Sequence, residues 1–428
     1  MTTETGSDRY LAAVEHALST APFYRRWNDP GTPVPLAARL AALPVLTKRD
    51  LRSFGPDGFV DERLHFGEAF RAGEIEMVST SGTADDRLSI AWHQPWWDRS
   101  ERAAARLNRA LDRAFSRPHR EAVLTSPVCA GNLCHVGDAP MAERTIGDLL
   151  FLNQALDPTS WGDRSIRRMA EEMRAFQPAV LEADPAYLAI LSAGCLAQGY
   201  ELWQPECIVL TYEFPSQIHY RQIRRMFPSV PVVSSYGSTE TGHVLTQCER
   251  GLFHQNSVTC YVEVDRLRPR VGGPAVGRLL VSTLDNPWLQ LLRYDVGDLV
   301  RTDGAACACG RSGGLTVKSI EGRTRDITFD TGGRVVTLKT LDDCLAGSDS
   351  LTGYQLVQTG PRDYTVRYSA EPGTDGRVAG VLPEILRAVY GSDASIMVRR
   401  DSALAPEQSG KFRLACAAFR HSIEDLFD

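Results

Sequence analysis

Near the start of the chain, apolar residues recur at the spacing of a helix. Tyr10, Val14 and Leu18 share one side of a helix predicted over 8–20, and Asp8 is a suitable cap for it. Further along, helix-like blocks alternate with short apolar runs that are typical of strands, and this alternation favours an α/β architecture. The blocks cover 100–115, 165–176, 185–198 and 216–226, and the runs cover 122–124, 208–210 and 230–234.

The pattern changes after residue 251 and again after residue 325. Short strand-like segments separated by Gly and Pro turns predict a β-rich part up to residue 320. A compact pattern of alternating helices and strands follows. We therefore expect a large N-terminal α/β domain with an appended β-rich subdomain over 1–325, and a small C-terminal α+β domain over 326–428. The strands are predicted at 261–264, 278–282, 315–317, 354–358, 364–368 and 394–398, and the late helices at 338–345 and 378–390.

Composition narrows the class of protein. The 428 residues carry 47 basic and 53 acidic side chains, and this mildly negative balance does not favour nucleic-acid binding. No run approaches the roughly 18 apolar residues of a membrane span, and the polar start does not resemble a signal peptide. We expect a cytoplasmic protein without a membrane partner. Its ten cysteines are then better interpreted as reduced thiols and a metal site than as disulfides.

Five short motifs occur in a fixed order, and the set is more informative than any single member. Two of them combine glycine and small hydroxyl residues, which let backbone N–H groups approach phosphate. Two others place a carboxylate after glycine or beside arginine. The motifs are Ser79-Thr80-Ser81-Gly82-Thr83, Ser234-Ser235-Tyr236-Gly237-Ser238-Thr239-Glu240, Arg293-Tyr294-Asp295-Val296-Gly297-Asp298, Glu321-Gly322-Arg323-Thr324-Arg325-Asp326 and Ser409-Gly410-Lys411.

This ordered set resembles the adenylate-forming superfamily of acyl-CoA synthetases, adenylation domains and luciferases, and above all its phenylacetate-CoA ligase branch. Segments 22–26, 43–51 and 183–188 also resemble that branch. The resemblance implies that a large N-terminal domain binds ATP and a carboxylic acid, while a mobile C-terminal lid domain swings over them. The acid attacks the α-phosphorus of ATP, pyrophosphate leaves, and a thiol captures the acyl group. This chemistry requires positioned charge rather than a protein nucleophile.

The resemblance also implies roles for individual residues. The nucleotide would be bound by residues of the first four motifs, with Tyr236 stacked on adenine and Asp298 and Arg323 at the ribose. Thr239 would contact the α-phosphate and Glu240 would help to hold Mg²⁺. The alternative for the Glu240 motif is an ordinary turn with an incidental Glu. The alternative for Asp298 and Arg323 is an Asp in a β-turn and an Arg on the surface. The implied nucleotide-binding set is Ser79, Thr80, Ser81, Gly82, Thr83, Tyr236, Gly237, Ser238, Asp298 and Arg323.

Two residues would belong to the moving part. Asp326 matches the hinge position, where one residue absorbs the backbone rotation, although an Asp that caps a helix is an alternative. Lys411 matches the lysine that reaches from the lid to the carboxylate and the α-phosphate. Its alternative is a surface lysine, which is common.

The sequence departs from the family pattern at two places. Ala84-Asp85-Asp86-Arg87 follows the phosphate loop, so two carboxylates lie close to a polyanion. Tyr212, before Glu213, stands where the branch usually carries glycine or alanine. It could narrow the acid pocket or shift the adenine, and both alternatives stay open. We assign Tyr212, Glu213 and Tyr236 to the substrate pocket.

Cys248, His254, Cys307 and Cys309 form two sulfur and imidazole pairs in the β-rich part. Four such ligands suit a closed Cys₃His zinc site, and some members of the resembled branch carry a structural zinc. The alternative is a set of buried free thiols. Cys129, Cys134 and His135 could mimic a nucleophile and base pair, but we favour a loop lining the acid pocket.

These features predict an ATP- and Mg²⁺-dependent ligase that activates a small aromatic or amino-substituted carboxylic acid. CoA is the acceptor that the resembled branch implies, and structural Zn²⁺ is a second metal. Transfer to a carrier-protein phosphopantetheine or to an amine is an alternative. A homologue that binds a ligand without turnover is another, motivated by Asp85-Asp86 and Tyr212. The oligomeric state stays open, a homodimer being one possibility.

Overall fold

The computed structural model describes residues 6–27, 42–80, 88–131, 133–269, 271–272, 275–302, 306–401, 404–419 and 424–427. The expected phosphate loop ends within this part at Ser79 and Thr80, so Ser81, Gly82 and Thr83 lie outside the described residues, as do Asp85 and Asp86. None of the helices in this part combines the length and the apolarity needed to span a lipid bilayer.

A nine-stranded sheet forms the centre of the molecule, with the strand order β14-β10-β9-β8-β7-β6-β3-β5-β4. The five adjacent strands β5, β3, β6, β7 and β8 run parallel to one another. The strands on either side of these five pair in an antiparallel way. Its strands are β3 (Glu121–Leu124), β4 (Thr145–Ile146), β5 (Leu149–Phe151), β6 (Val180–Ala183), β7 (Cys207–Leu210), β8 (Val232–Ser238), β9 (Gly242–Gln247), β10 (Phe253–Gln255) and β14 (Thr316–Val317).

Three smaller sheets or hairpins complete the part of the chain before residue 337. A four-stranded antiparallel sheet has the order β11-β12-β13-β15, and two hairpins pair β1 with β2 and β16 with β17. The strands are β1 (Glu76–Ser79), β2 (Ser89–Trp92), β11 (Cys260–Arg266), β12 (Val276–Thr283), β13 (Tyr294–Arg301), β15 (Ser319–Arg323), β16 (Thr328–Phe329) and β17 (Val335–Val336).

Helices cover both faces of the central sheet. Their starts follow ordinary capping chemistry: Asp184 accepts from the backbone N–H of Ala186 before Pro185 begins a helix, and Ser216 caps the next one. The α-helices before residue 337 are α1 (Gly6–Thr20), α2 (Lys48–Phe54), α3 (Phe66–Ala72), α4 (Gln94–Ala105), α5 (Arg109–Phe115), α6 (Asp163–Phe176), α7 (Pro185–Gln198) and α8 (Gln217–Met226).

A second α+β unit follows, in which two helices pack on a four-stranded sheet of order β20-β19-β18-β21. Ile218 of α8 belongs to the same apolar cluster, so this unit is packed against the larger part. Its elements are α9 (Leu338–Leu345), β18 (Leu351–Gln358), β19 (Asp363–Ala370), α10 (Asp375–Tyr390), β20 (Ser395–Arg400) and β21 (Ala415–Ala417).

The predicted α/β architecture is confirmed, with two local corrections. The block 100–115 is not one helix, because Asn108 leaves helical geometry and its side chain caps α5 by accepting from Ala110 N at 2.8 Å. The first helix begins at Gly6, so Asp8 lies in its first turn rather than at its cap.

The segment Glu424–Leu426 and Phe427 returns to the larger part of the molecule. Leu426 and Phe427 are buried in one apolar cluster with Leu267 of that part and with Ile327. Arg268 donates from its backbone to Leu426 O at 2.8 Å, and the guanidinium of Arg278 lies 4.3 Å from the centre of the Phe427 ring.

Candidate active site

A cleft opens where the carboxyl ends of β7 and β8 meet the second α+β unit, which is where ligands bind in parallel sheets. Most of the motifs that the sequence places far apart contribute to it. The cleft is lined by residues that include Thr211, Tyr212, Glu213, Ser235, Tyr236, Gly237, Asp298, Arg323, Asp326 and Lys411.

One wall brings together three of the residues predicted to bind nucleotide. The hydroxyl of Tyr236 donates to Asp298 Oδ2 at 2.9 Å, and Arg323 Nε lies 3.9 Å from Asp298 Oδ1. The last two residues face each other across β13 and β15. Burial and the nearby carboxylate raise the pKa of Tyr236, so its hydroxyl stays a hydrogen-bond donor. This wall offers an aromatic ring, a carboxylate and a guanidinium within one small area.

The β8–β9 hairpin requires glycine at position 237. A Cβ there would overlap the backbone carbonyl of Gly242 on the opposite strand. The register also shifts between Tyr236 and Gly237, as in a β-bulge, and such irregularities re-aim side chains beside binding sites. Ser238 is held in the same hairpin by a 2.9 Å contact between its Oγ and Thr241 Oγ1.

Glu240 lies in the hairpin turn, but it is only 4% exposed. Its Oε1 accepts from the hydroxyl of Tyr294 at 3.2 Å and lies 3.8 Å from Lys48 Nζ. Thr239, which precedes it, is half-buried. The sequence analysis gave Lys48 and Tyr294 no role, although both fall in segments that it singled out. A carboxylate in this setting is already matched to a cation, as expected for a residue that neutralises positive charge.

Lys411 reaches the opposite side of the cleft from the second unit. Its Nζ donates to the backbone carbonyl of Tyr212 at 3.2 Å, and the N–H of Phe412 donates to Glu213 Oε1 at 2.7 Å. Burial and the charge of Asp184 raise the pKa of Glu213, while Lys411 opposes this shift. Burial likewise raises the pKa of Asp184 to about 7. The lysine therefore lies near two acids, Asp184 and Glu213, whose pKa values are raised by burial.

Gly410 explains how this lysine is positioned. Its φ is +83°, a conformation that favours glycine, and a Cβ would overlap the side chain of Ser126. The hydroxyl of Tyr187 donates to Gly410 O at 3.0 Å, and the thiol of Cys129 lies 3.8 Å from Ser409 O. The 409–411 segment is therefore docked on the loop that follows β3.

Tyr212 does not point freely into the cleft. Its φ is +71°, which is unusual for a bulky residue, and its hydroxyl is hydrogen-bonded to Glu182 of β6. The side chain therefore spans the distance from the cleft to the middle of the sheet.

Asp326 lies in a short 3-10 turn, Thr324–Asp326, between β15 and the β16–β17 hairpin that precedes the second unit. Its Oδ1 accepts from Arg413 Nε at 2.8 Å, and Arg413 also donates to the carbonyl of Arg325 at 2.8 Å. This pairing links the turn to the segment that carries Lys411.

The remaining predicted site residues fall into two groups. Thr80 is buried and its Oγ1 accepts from Leu88 N at 3.0 Å, next to Ser79 at the end of β1. The thiol of Cys129 lies 3.8 Å from Ser409 O, and the ring of His135 lies 5.7 Å from that of Phe151.

Cys248, His254, Cys307 and Cys309 converge, with their ligand atoms all within 4.8 Å of one another. The sulfurs of Cys248 and Cys307 are 3.7 Å apart, and Cys309 Sγ is 3.2 Å from His254 Nε2. Sulfurs at about 2.3 Å from a tetrahedral zinc would be about 3.8 Å apart. The four side chains therefore fit a closed zinc site.

Comparisons with known proteins place this geometry in a known fold. No family model matches the chain, and no curated protein sequence does. Solved structures do match. The 2-hydroxyisobutyryl-CoA ligase in the postadenylation state, in complex with 2-HIB-AMP, gives a TM-score of 0.69 at 17% identity over 94% of this chain and 86% of the ligase.

Two further structures bear on the arrangement. The same ligase in complex with 2-HIB-AMP and CoA in the thioesterification state gives a TM-score of 0.55 at 18% identity, covering 92% of this chain and 85% of the ligase. An amide bond synthetase from Marinactinospora thermotolerans gives 0.50 at 15% identity, covering 79% of this chain and 67% of the synthetase. The chain has the fold of the adenylate-forming enzymes, and its TM-score is higher against the postadenylation state of the ligase than against the thioesterification state.

Proposed function

We propose that this protein activates a small carboxylic acid with ATP, forming an acyl-adenylate and releasing pyrophosphate. The observation that carries the proposal is Lys411, which enters a cleft whose opposite wall holds Tyr236, Asp298 and Arg323. Attack on the α-phosphorus needs a cation near the reacting oxygens and a wall that holds the nucleoside. The cleft offers one on each side. The fold of the adenylate-forming enzymes supports the same activity.

In this proposal Lys411 neutralises charge that develops between the carboxylate and the α-phosphate, and Glu213 positions it by holding Phe412. Asp298 accepts from the ribose hydroxyls, and Tyr236 contacts the adenine. Ser79 and Thr80 begin the loop for the outer phosphates.

Mg²⁺ would be held by Glu240, with Thr239 beside the α-phosphate. One carboxylate together with phosphate oxygens is the arrangement that this ion prefers, and it would supply charge neutralisation there. Before Mg²⁺ binds, Lys48 would pair with this carboxylate, because its Nζ lies 3.8 Å from Glu240 Oε1.

CoA is the proposed acyl acceptor, and the phenylacetate-CoA ligase branch is the proposed placement. Support comes from the near-complete coverage of a CoA ligase, compared with the lower score and coverage of the amide bond synthetase. The motif segments 22–26, 43–51 and 183–188 point to the same branch.

We propose that the chain divides into two domains, 1–325 and 326–428, with Asp326 as the hinge between them. The pairing of Asp326 with Arg413 would stabilise the arrangement in which Lys411 is in the cleft, and rotation at the hinge would break it. The lower TM-score against the thioesterification state supports a second arrangement.

Zn²⁺ is the proposed occupant of the Cys248, His254, Cys307 and Cys309 cluster. With four protein ligands no open position remains, so the metal would be structural. Arg250 N donates to Cys248 Sγ at 3.3 Å and Arg311 N to Cys309 Sγ at 3.5 Å, contacts that stabilise thiolates.

The direct test is pyrophosphate exchange into ATP with Mg²⁺, without CoA, over a panel of aryl, arylacetic and amino acids. We expect exchange that depends on one class of acid, because the adenylate forms before the acceptor is needed. Absence of exchange with every acid, together with absence of ATP binding, would instead support a homologue without turnover.

Asp298→Asn tests the nucleotide wall. We expect the KM for ATP to rise by about tenfold or more, because the amide replaces one of the two oxygens available to the ribose with a donor. Asp349→Asn, an exposed carboxylate at 86% side-chain exposure, is the matched control. Equal KM values for ATP in the two variants would show that Asp298 does not contribute to ATP binding.

A further inference from the structure

A group of carboxylates lies on the sheet face that α4 covers, outside the machinery described so far. Glu121 is in β3, Glu182 is in β6 and Glu101 is in α4. Leu181 and Ala183 belong to the apolar core on the opposite face of the sheet, with α6 and α7. Because side chains alternate along a strand, Glu182 faces α4.

These carboxylates lie close enough to one another to raise their pKa values. Burial, followed by the charges of Glu182 and Asp98, raises the pKa of Glu101 to about 7, and burial and neighbouring carboxylates also raise the pKa of Glu121. Within the described residues, the one cation that acts on Glu101 is Arg102, its neighbour on the helix, and none acts on Glu121 or Glu182. The three carboxylates are half-buried, and like charges held this close together are costly.

Two polar atoms of the β8–β9 hairpin, in the strand against which α4 packs, have no hydrogen-bond partner within the described residues. Thr246 is fully buried, and within the described residues its Oγ1 has no hydrogen-bond partner; the same holds for His243 Nε2. Thr246 lies opposite Ser235, whose side chain lines the cleft and whose Oγ is 3.5 Å from His243 Nδ1. Buried polar atoms without partners are uncommon, and a ligand that hydrogen-bonds to them would explain these two.

The helix packs over the hairpin. The ring of Trp97 lies 5.0 Å from that of His243, and Glu101 is one helical turn further along the same face of α4. Burial lowers the pKa of His243 to about 4, so the imidazole is neutral near pH 7 and its free nitrogen can accept a hydrogen bond.

Tyr212 connects Glu182 to the proposed reaction centre. Its backbone carbonyl accepts from Lys411, and its hydroxyl is bonded to Glu182. The group that activates the carboxylate and the acidic group are therefore separated by about one tyrosine side chain.

We propose that the carboxylic acid substrate carries a basic nitrogen, which enters the gap between α4 and the sheet and is bound by Glu101 and Glu182. An ammonium or amidinium supplies both the charge that the carboxylates lack and the donors that His243 and Thr246 lack. This inference rests on the proposed adenylation and specifies its substrate class. The distance set by Tyr212 favours an amino group remote from the carboxylate over one on the α-carbon.

The test is pyrophosphate exchange with acids in matched pairs: 4-(aminomethyl)benzoate with 4-ethylbenzoate, and 5-aminopentanoate with hexanoate. We expect the amino member of at least one pair to be preferred by about tenfold or more in kcat/KM. Glu182→Gln and Glu101→Gln keep the side-chain shape, and each should reduce the preference to near unity by raising KM. Glu171→Gln, on the exposed side of α6, should leave the preference unchanged.

The outcomes separate the two proposals. Exchange with the neutral members that equals or exceeds exchange with the amino members would overturn the substrate class while leaving adenylation in place. An unchanged preference in both folded Gln variants would remove the acidic group from recognition. No exchange with any acid of either pair or of the wider panel would overturn adenylation, and the substrate class with it. Melting temperatures of the variants identify a folding defect, and the wild-type preference does not depend on them.

Discussion

Lys411→Ala is expected to lower acid-dependent pyrophosphate exchange by about 10²-fold or more, while the protein stays folded. Removal of a single preorganised charge or donor from a reaction centre costs roughly this much. Lys411 Nζ is held in the cleft by Tyr212 O and flanked by Asp184 and Glu213, so alanine leaves these acids without their cation. The effect should fall on kcat rather than on the KM for ATP, since the nucleotide wall is formed by other residues.

Lys318→Ala, an exposed lysine in the β-rich part, is the matched control and should exchange at the wild-type rate. Lys411→Arg keeps the charge but not the compact ammonium, and it should recover only part of the activity. Exchange by Lys411→Ala within a few-fold of wild type would contradict the role proposed for this lysine.

Loss of the Cys₃His cluster should produce the second large effect, on stability rather than on chemistry. Purified protein should contain about one zinc per chain, and Cys307→Ser should lose it together with roughly 5 °C or more of Tm. The cluster joins the hairpin loop at Cys248 to β10 and to the 307–309 loop. Without the metal, its thiols and imidazole remain buried together without the bonds that hold these segments. Metal analysis and thermal unfolding measure the two quantities.

Cys344→Ser is the control for this experiment, because Cys344 is exposed and lies on α9, away from the cluster. It should retain both zinc and Tm. A wild-type protein without zinc, or Cys307→Ser with unchanged metal content, would show that the four side chains are ordinary buried thiols and an imidazole.

The sequence allowed the fold to be predicted because alternating helix and strand patterns are a local property. It also allowed Asp298, Arg323 and Tyr236 to be assigned to one place, through resemblance rather than through any pattern of spacing. The break at Asn108 is not part of the predicted helix over 100–115, although asparagine before a helical turn is a recognisable cap.

Other features could not be predicted from the sequence. The contacts of Lys48 and Tyr294 with Glu240 join three distant segments, and no periodicity encodes such a meeting. Glu182 looked like an ordinary polar residue in a short strand. Its role depends on three features of the fold. The opposite face of the sheet is apolar, α4 covers the face on which Glu182 lies, and the hydroxyl of Tyr212 bonds to Glu182.

The return of Leu426 and Phe427 to the cluster that contains Ile327 has a mechanical consequence for the second unit. The chain attaches this unit to the larger part at two places, near Ile327 and at Leu426 and Phe427. Both places lie in the same apolar cluster. A body fixed at two well-separated points could not turn far, but two adjacent points define a common pivot. Large rotations of the unit are then compatible with both attachments staying in place, while translation away from the larger part is resisted.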